Sequence, residues 1–136
     1  MTLAMTLKLG LLGFWTLWFA IVTATNVLGV SSNDQAIVRA TQRFAPPPWV
    51  PRFLFIAVIV WQAASTALLA RAVALSLMHD AVDLAAATLA LGSGIALWAA
   101  FMLADEITVK YEFERTHELL FIAQLATLIA LHVLPG

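Results

Sequence analysis

The sequence predicts an all-α fold: a bundle of four transmembrane helices, with an interfacial segment between the first and the second. Of its 136 residues, 62% are hydrophobic and 11% are charged, whereas soluble domains hold about 45–50% and about 25%. The apolar residues also form four runs that match the ~20 residues needed to cross a bilayer. Because lipid offers backbone N–H and C=O groups no partner, each run is expected to be an α-helix. The length fits one domain, residues 1–136.

The four predicted helices occupy residues 9–30, 53–75, 84–104 and 117–134. The first run is longer than the core of a signal peptide, which holds about 7–15 residues, so it is interpreted as a retained helix. Four spans place both termini on one side of the membrane. The connection between the second and third runs is short, which predicts an antiparallel helical hairpin.

The first connection is predicted to lie in the membrane interface. Its apolar side chains recur at helical spacing, which indicates a short amphipathic helix; they are Ala36, Ile37, Ala40 and Phe44. The prolines at 46–48 then favour an extended chain. Trp49 and Arg52, just before the second span, are typical interfacial anchors.

The third predicted helix has a small residue at every fourth position: Thr88, Gly92, Ala96 and Ala100. Small side chains on one face let another helix approach closely, which drives packing inside lipid. We therefore predict that this ladder is a helix-packing surface and that the third helix is the most buried of the four.

Polar side chains in or beside the spans are the candidate functional residues, because such groups are costly in a membrane. A charged insert at residues 105–118, DEITVKYEFERTHE, holds five of the eight acids. The candidates on polar membrane faces are Asn26, Gln62, Glu106, Glu114, His117, Glu118 and Gln124. Two interpretations stay open for the amides: interhelical hydrogen bonds worth about 0.6 kcal/mol each, or a polar functional seam that continues from Glu114 and His117 along the fourth helix.

No cofactor, metal ligand or catalytic residue is predicted. Glu114 and His117 have the i, i+3 spacing of di-iron sites, but the second copy of that motif is missing. A bis-histidine haem needs two histidines at matched depth, whereas His79 and His132 are expected on one side and His117 on the other. Haem and di-iron therefore remain minor alternatives. The chain also lacks cysteine, a nucleophilic triad and a phosphate-binding glycine loop.

Several short features resemble a bacterial family of predicted small integral membrane proteins, catalogued as domain of unknown function 2165. They are Asn26 at the end of the first helix with Ser32 and Asn33 after it, Arg52 before the second helix, and Glu106 after the third. The resemblance implies a small protein of the bacterial cytoplasmic (inner) membrane and supplies no activity. It also implies cytoplasmic termini, whereas the Lys and Arg count predicts the opposite orientation. In that count Lys8 and Arg71 stand against five residues in the two long connections.

The leading functional hypothesis is a non-catalytic accessory or structural subunit that docks onto a larger membrane complex. The alternatives are a cofactor-binding redox bundle, with haem or metal, and an oligomeric proton or ion pathway through Glu106 or Glu118. The expected partners are the lipid bilayer and other membrane protein subunits. Nucleic acid is excluded as a partner, because the net charge is -1 and no basic face is present. A lipid, quinone or pigment between the helices stays open.

Overall fold

A computed structural model describes residues 2–108 and 114–135, except for the side chains of residues 30–34 and 36. Over these residues the chain is all-α, as predicted. The helices are α1 (Leu3–Leu28), α2 (Val30–Thr41), α3 (Trp49–Met78), α4 (Leu84–Thr108) and α5 (Glu114–Val133), with a 3-10 turn at Gln42–Phe44. Four of them, α1, α3, α4 and α5, are long and apolar enough to cross a membrane.

The helices extend beyond the apolar runs from which they were predicted. α1 begins at Leu3 because Thr2 caps it: the Thr2 Oγ1 accepts from the Met5 N–H at 3.2 Å. α3 begins at Trp49, and Pro51 is tolerated in its first turn because the N–H groups there have no helical partner. Trp49 and Arg52 are therefore exposed side chains of a helix start rather than of a loop.

The interfacial segment predicted after the first span is a helix that follows almost directly. Only Gly29 separates α1 from α2. α2 packs against α3. The chain then turns at Ala45, whose φ of 45° is left-handed, and passes through residues 46–48 into α3. The α3–α4 connection is short, as predicted, with Asp83 Oδ1 capping α4 at the Ala86 N–H, 2.9 Å away.

The four long helices run alternately up and down. α1 packs on α3, α3 on α4, and α4 on α5, and α5 makes a narrower contact with α1. The largest side chains of the core are Leu12, Trp15, Phe19, Leu69, Leu91, Leu97, Trp98 and Leu131. Outside this core, many large apolar side chains point away from the bundle, such as Phe14, Leu17, Val60, Leu103 and Ile129. Soluble proteins rarely expose contiguous apolar surface on this scale, so a lipid bilayer is the environment that the bundle fits.

The small-residue ladder of α4 does not face the core of this bundle. α4 is the most buried of the four spans, with 33% of its apolar window buried against 22% for α3. However, Thr88, Ala96 and Ala100 are exposed, and Gly92 has open space beside its Cα. α4 turns its other face inward, the face of Gly94, Trp98 and Asp105. The buried polar groups on that face find partners inside the bundle, which favours this rotation of the helix.

Candidate functional site

The carboxylate of Asp105 and the imidazole of His117 meet between the end of α4 and the start of α5. Their Oδ2 and Nδ1 atoms lie 2.6 Å apart. A carboxylate accepts, so the Nδ1–H donates. Asp105 is 9% exposed and was not among the predicted candidates. The pairing follows from the antiparallel course of α4 and α5, which brings residues 12 apart in the chain together.

The ring of His117 stacks against two aromatic side chains of α4, which also contact each other. Its centroid is 4.9 Å from that of Phe101, at 26°, and 6.4 Å from that of Trp98, at 19°. Because Nδ1 is engaged by Asp105, Nε2 is the remaining polar atom, and no described residue hydrogen-bonds it. The imidazole is thus held in position by Asp105 and the two rings while one nitrogen stays available.

A second polar contact joins α1 to α3. Asn26 Nδ2 donates to Gln62 Oε1 at 2.8 Å, and Gln62 is 2% exposed. The sequence placed both residues among the polar candidates, and the structure brings them together across the helix interface. Asn26 and Gln62 thus form an interhelical hydrogen bond, which is the first of the two interpretations left open for the amides.

A third polar contact lies deeper, between α4 and α5. Gln124 is fully buried, and its Oε1 accepts from the Trp98 indole Nε1–H at 2.8 Å. Its Nε2 is buried without a partner among the described residues, directly against Gly94. One turn further along α5, Thr127 Oγ1 accepts from the Trp15 indole at 3.0 Å. Neither tryptophan was among the residues predicted from the sequence, although an indole N–H inside a membrane span needs an acceptor.

Some of these groups, namely Asn26, Gln62, Trp98, Phe101 and His117, line an open cavity of about 340 Å³ in the half of the bundle nearest α2, here called the aromatic cavity. Its aromatic walls are Trp18, Phe55, Trp98 and Phe101, and its polar lining residues are Asn26, Gln62, Thr116 and His117. Small-molecule sites typically measure about 300–1,000 Å³ and combine apolar walls with a few polar groups. The aromatic cavity is open to the outside of the bundle, and Trp18, one of its walls, is 36% exposed.

The remaining acidic candidates do not contribute to this cavity. Glu106 and Glu118 are exposed, and Glu114 is half-buried at the start of α5. Glu114 and His117 lie on successive turns, as their spacing predicts, but the Nδ1 of His117 is directed to Asp105. Within the described residues no three His, Asp or Glu side chains converge as a metal-binding group. The centre of the charged insert, residues 109–113, lies outside the described residues.

Comparison with protein-family models, curated proteins and solved structures finds no match to this chain. The class follows from the fold and the site: an integral membrane bundle of four helices with a polar-lined cavity between them. The family resemblance noted in the sequence stays a prediction.

Proposed function

We propose that the protein is a non-catalytic membrane binding protein whose aromatic cavity holds one planar amphiphile of the prenylated-quinone class. The single observation that supports this most is the aromatic cavity itself, where His117 Nε2, which no described residue hydrogen-bonds, lies beside aromatic rings. A flat carbonyl-bearing head and an apolar tail are the chemistry that such walls complement.

The head of this ligand is matched by hydrogen bonds and by ring contacts. His117 Nε2 offers a hydrogen bond to a carbonyl or hydroxyl, and Trp98 and Phe101 offer faces on which a planar ring stacks. The Asp105 contact holds the imidazole in one orientation before the ligand arrives, which reduces the entropy lost on binding. Asn26 and Gln62, at the same cavity, supply further amide groups.

The apolar tail of this ligand fits the path that leads from the aromatic cavity to the bilayer. Trp18 belongs both to the cavity wall and to the lipid-facing surface. The outer faces of the surrounding helices are apolar. A prenyl or acyl tail therefore extends between the helices into the bilayer without leaving an apolar environment.

Binding is tested by titrating the purified protein in lipid nanodiscs with a decyl-benzoquinone and recording tryptophan emission. We expect saturable quenching in the wild type. His117→Phe keeps the ring stack but removes both nitrogens, so it should weaken binding about fivefold, the equivalent of one hydrogen bond of about 1 kcal/mol. The matched control is Arg71→Gln, an exposed position of α3 that does not line the cavity. Equal binding by His117→Phe, or quenching that never saturates, contradicts the proposal.

A second candidate is the accessory-subunit role, and it is favoured by the position of the α4 ladder. Gly92 has open space beside it, and Ala96 and Ala100 face outward. Such a face suits the close approach of a helix from another membrane protein. Native co-purification after mild solubilisation tests it: a stoichiometric partner lost in Ala96→Phe supports docking, and a monodisperse, partner-free chain counts against it.

The remaining expectations stay proposals of lower rank. We keep the bacterial cytoplasmic membrane as the proposed location, which rests on the family resemblance. The proton-pathway alternative gains no support from the exposed positions of Glu106 and Glu118. The haem and metal alternatives, which centre on Glu114 and His117, stay proposals. An absorption spectrum and metal analysis of the purified protein test the redox alternatives directly.

A further inference from the structure

A separate cavity of about 300 Å³ lies at the opposite end of the bundle from the aromatic cavity. The start of α1, the α3–α4 loop and the end of α5 surround it, and we call it the terminal cavity. The residues that define its chemistry are Thr2, Lys8 and Asp80, with Val82, Leu84 and Pro135 as apolar walls. None of these residues lines the aromatic cavity.

Lys8 is the unusual residue of the terminal cavity. Its side chain is only 5% exposed, yet its ammonium makes no hydrogen bond or ion pair with any residue that the structure describes. The Lys8 Nζ is not among the fully enclosed polar atoms that lack a partner, so the ammonium keeps some accessible surface beside the terminal cavity. Because Lys8 lines the terminal cavity, a ligand bound there is the group positioned to supply that partner.

The surroundings of Lys8 favour an anion on one side and a cation on the other. The start of α1 adds the positive end of its dipole, while Met5, the first-turn residue that lines the cavity, already donates its N–H to the Thr2 Oγ1. The other charged group of the terminal cavity is the carboxylate of Asp80, an exposed residue of the α3–α4 loop. One cation and one anion at the mouth of a single cavity complement a ligand that itself carries both signs.

The position along the membrane matches that of a lipid headgroup. Lys8 lies five residues after the start of α1, about 8 Å along the helix axis, and helical side chains lean toward the N-terminus. Its ammonium is therefore directed from the hydrocarbon layer toward the headgroup region at that surface.

We propose that the terminal cavity binds the phosphate-ammonium headgroup of a glycerophospholipid. The phosphate contacts the Lys8 ammonium and the first turn of α1, and the headgroup ammonium contacts the Asp80 carboxylate. Inorganic phosphate can make the contact with Lys8 and α1 but not the contact with Asp80, so the test distinguishes a bound lipid from free phosphate.

Delipidated protein in a mild detergent is titrated with phosphatidylethanolamine, phosphatidylglycerol or diacylglycerol, and occupancy is read by native mass spectrometry. We expect the wild type to bind one phosphatidylethanolamine molecule tightly. Lys8→Met should bind this lipid at least tenfold more weakly, and Lys8→Arg should retain the binding. Asp80→Asn should remove the preference for phosphatidylethanolamine over phosphatidylglycerol; asparagine tolerates the left-handed φ of 50° at this position, so the loop is preserved. Arg71→Met, another cation near this end of the bundle, is the matched control and should bind as the wild type does.

Three outcomes overturn the assignment. Unchanged phosphatidylethanolamine binding in Lys8→Met removes the role of the ammonium, and equally tight diacylglycerol removes the role of the phosphate. Displacement of the lipid by equimolar inorganic phosphate identifies a free-phosphate site instead. His117→Phe should leave this binding unchanged, so failure here is distinguishable from failure at the aromatic cavity.

Discussion

Gly94 is the position where one added methyl group should disturb the bundle most. A Cβ built at Gly94 comes within 2.5 Å of the Gln124 Oε1 and 2.8 Å of its Cδ. Real Cβ atoms do not approach other atoms that closely, so Gly94→Ala must displace the amide of Gln124. Because Gln124 is fully buried and its Oε1 accepts from the Trp98 indole, the amide cannot move without breaking that hydrogen bond.

The size of the effect follows from three opposing contributions. Alanine in place of glycine stabilises a helix by about 1 kcal/mol. Overpacking a filled interior costs about 1–3 kcal/mol, and leaving a buried polar group unsatisfied costs about 1–3 kcal/mol more. We therefore expect Gly94→Ala to lower the free energy of unfolding by about 1–5 kcal/mol, with the helix preference already included.

Gly92→Ala is the matched control for this substitution. It lies on the same helix and gains the same helix preference, but a Cβ there meets no atom within 4 Å. It should stabilise the protein by about 1 kcal/mol. Unfolding by SDS in mixed micelles, followed by circular dichroism at 222 nm and by tryptophan emission, compares the two variants. Equal stability of both, with unchanged emission, would refute the close approach of Gly94 and Gln124.

A double-mutant cycle locates the cause. Gln124→Ala removes the atoms that Gly94→Ala displaces, so the double variant should be more stable than the sum of the single losses, by about 0.5–3 kcal/mol. Strict additivity would mean that the added methyl group disturbs something other than this amide.

Three further predictions concern the other polar contacts. Asn26→Leu leaves the buried Gln62 Oε1 without this donor and should lower the free energy of unfolding by about 1–3 kcal/mol. Adding Gln62→Leu should recover most of this loss. A double variant that is no more stable than Asn26→Leu in the same SDS unfolding contradicts the pairing. Thr127→Val removes the acceptor of the Trp15 indole and should cost about 1 kcal/mol, an effect that Trp15→Phe should abolish in a double-mutant cycle. Asp105→Asn keeps an oxygen acceptor for His117 but removes the negative charge that strengthens the hydrogen bond. Nitrogen NMR of the His117 imidazole should show Nδ1–H in the wild type and a mixture of tautomers in the variant. Identical spectra would contradict the contact.

The four spans follow from the sequence because crossing a bilayer constrains length and hydropathy so strongly. The packed face of α4 does not follow. Thr88, Gly92, Ala96 and Ala100 have the right spacing for a close contact, but spacing defines a face and not the direction in which it points. That direction depends on Trp98 and on its acceptor on a different helix, which no local pattern reveals.

The two cavities show the same division between local and long-range information. Asn26, Gln62 and His117 stand out in the sequence because they are polar groups beside apolar runs. Asp105 looks like one more acid in a charged insert until α5 folds back beside it. Lys8 likewise looks like an ordinary basic residue near the membrane surface, and only the packing of α1 beside the α3–α4 loop makes it buried.

The position of His117 on α5 has a consequence for assembly in the cell. The α3–α4 hairpin can enter the membrane as a unit, and α1 precedes it during synthesis. One wall of the aromatic cavity, which includes Thr116, His117 and Leu120, comes from α5, which follows the other three spans in the chain. A ligand in the aromatic cavity would therefore reach a finished site only after α5 has inserted, and ligand occupancy would distinguish completely inserted chains from partly inserted ones.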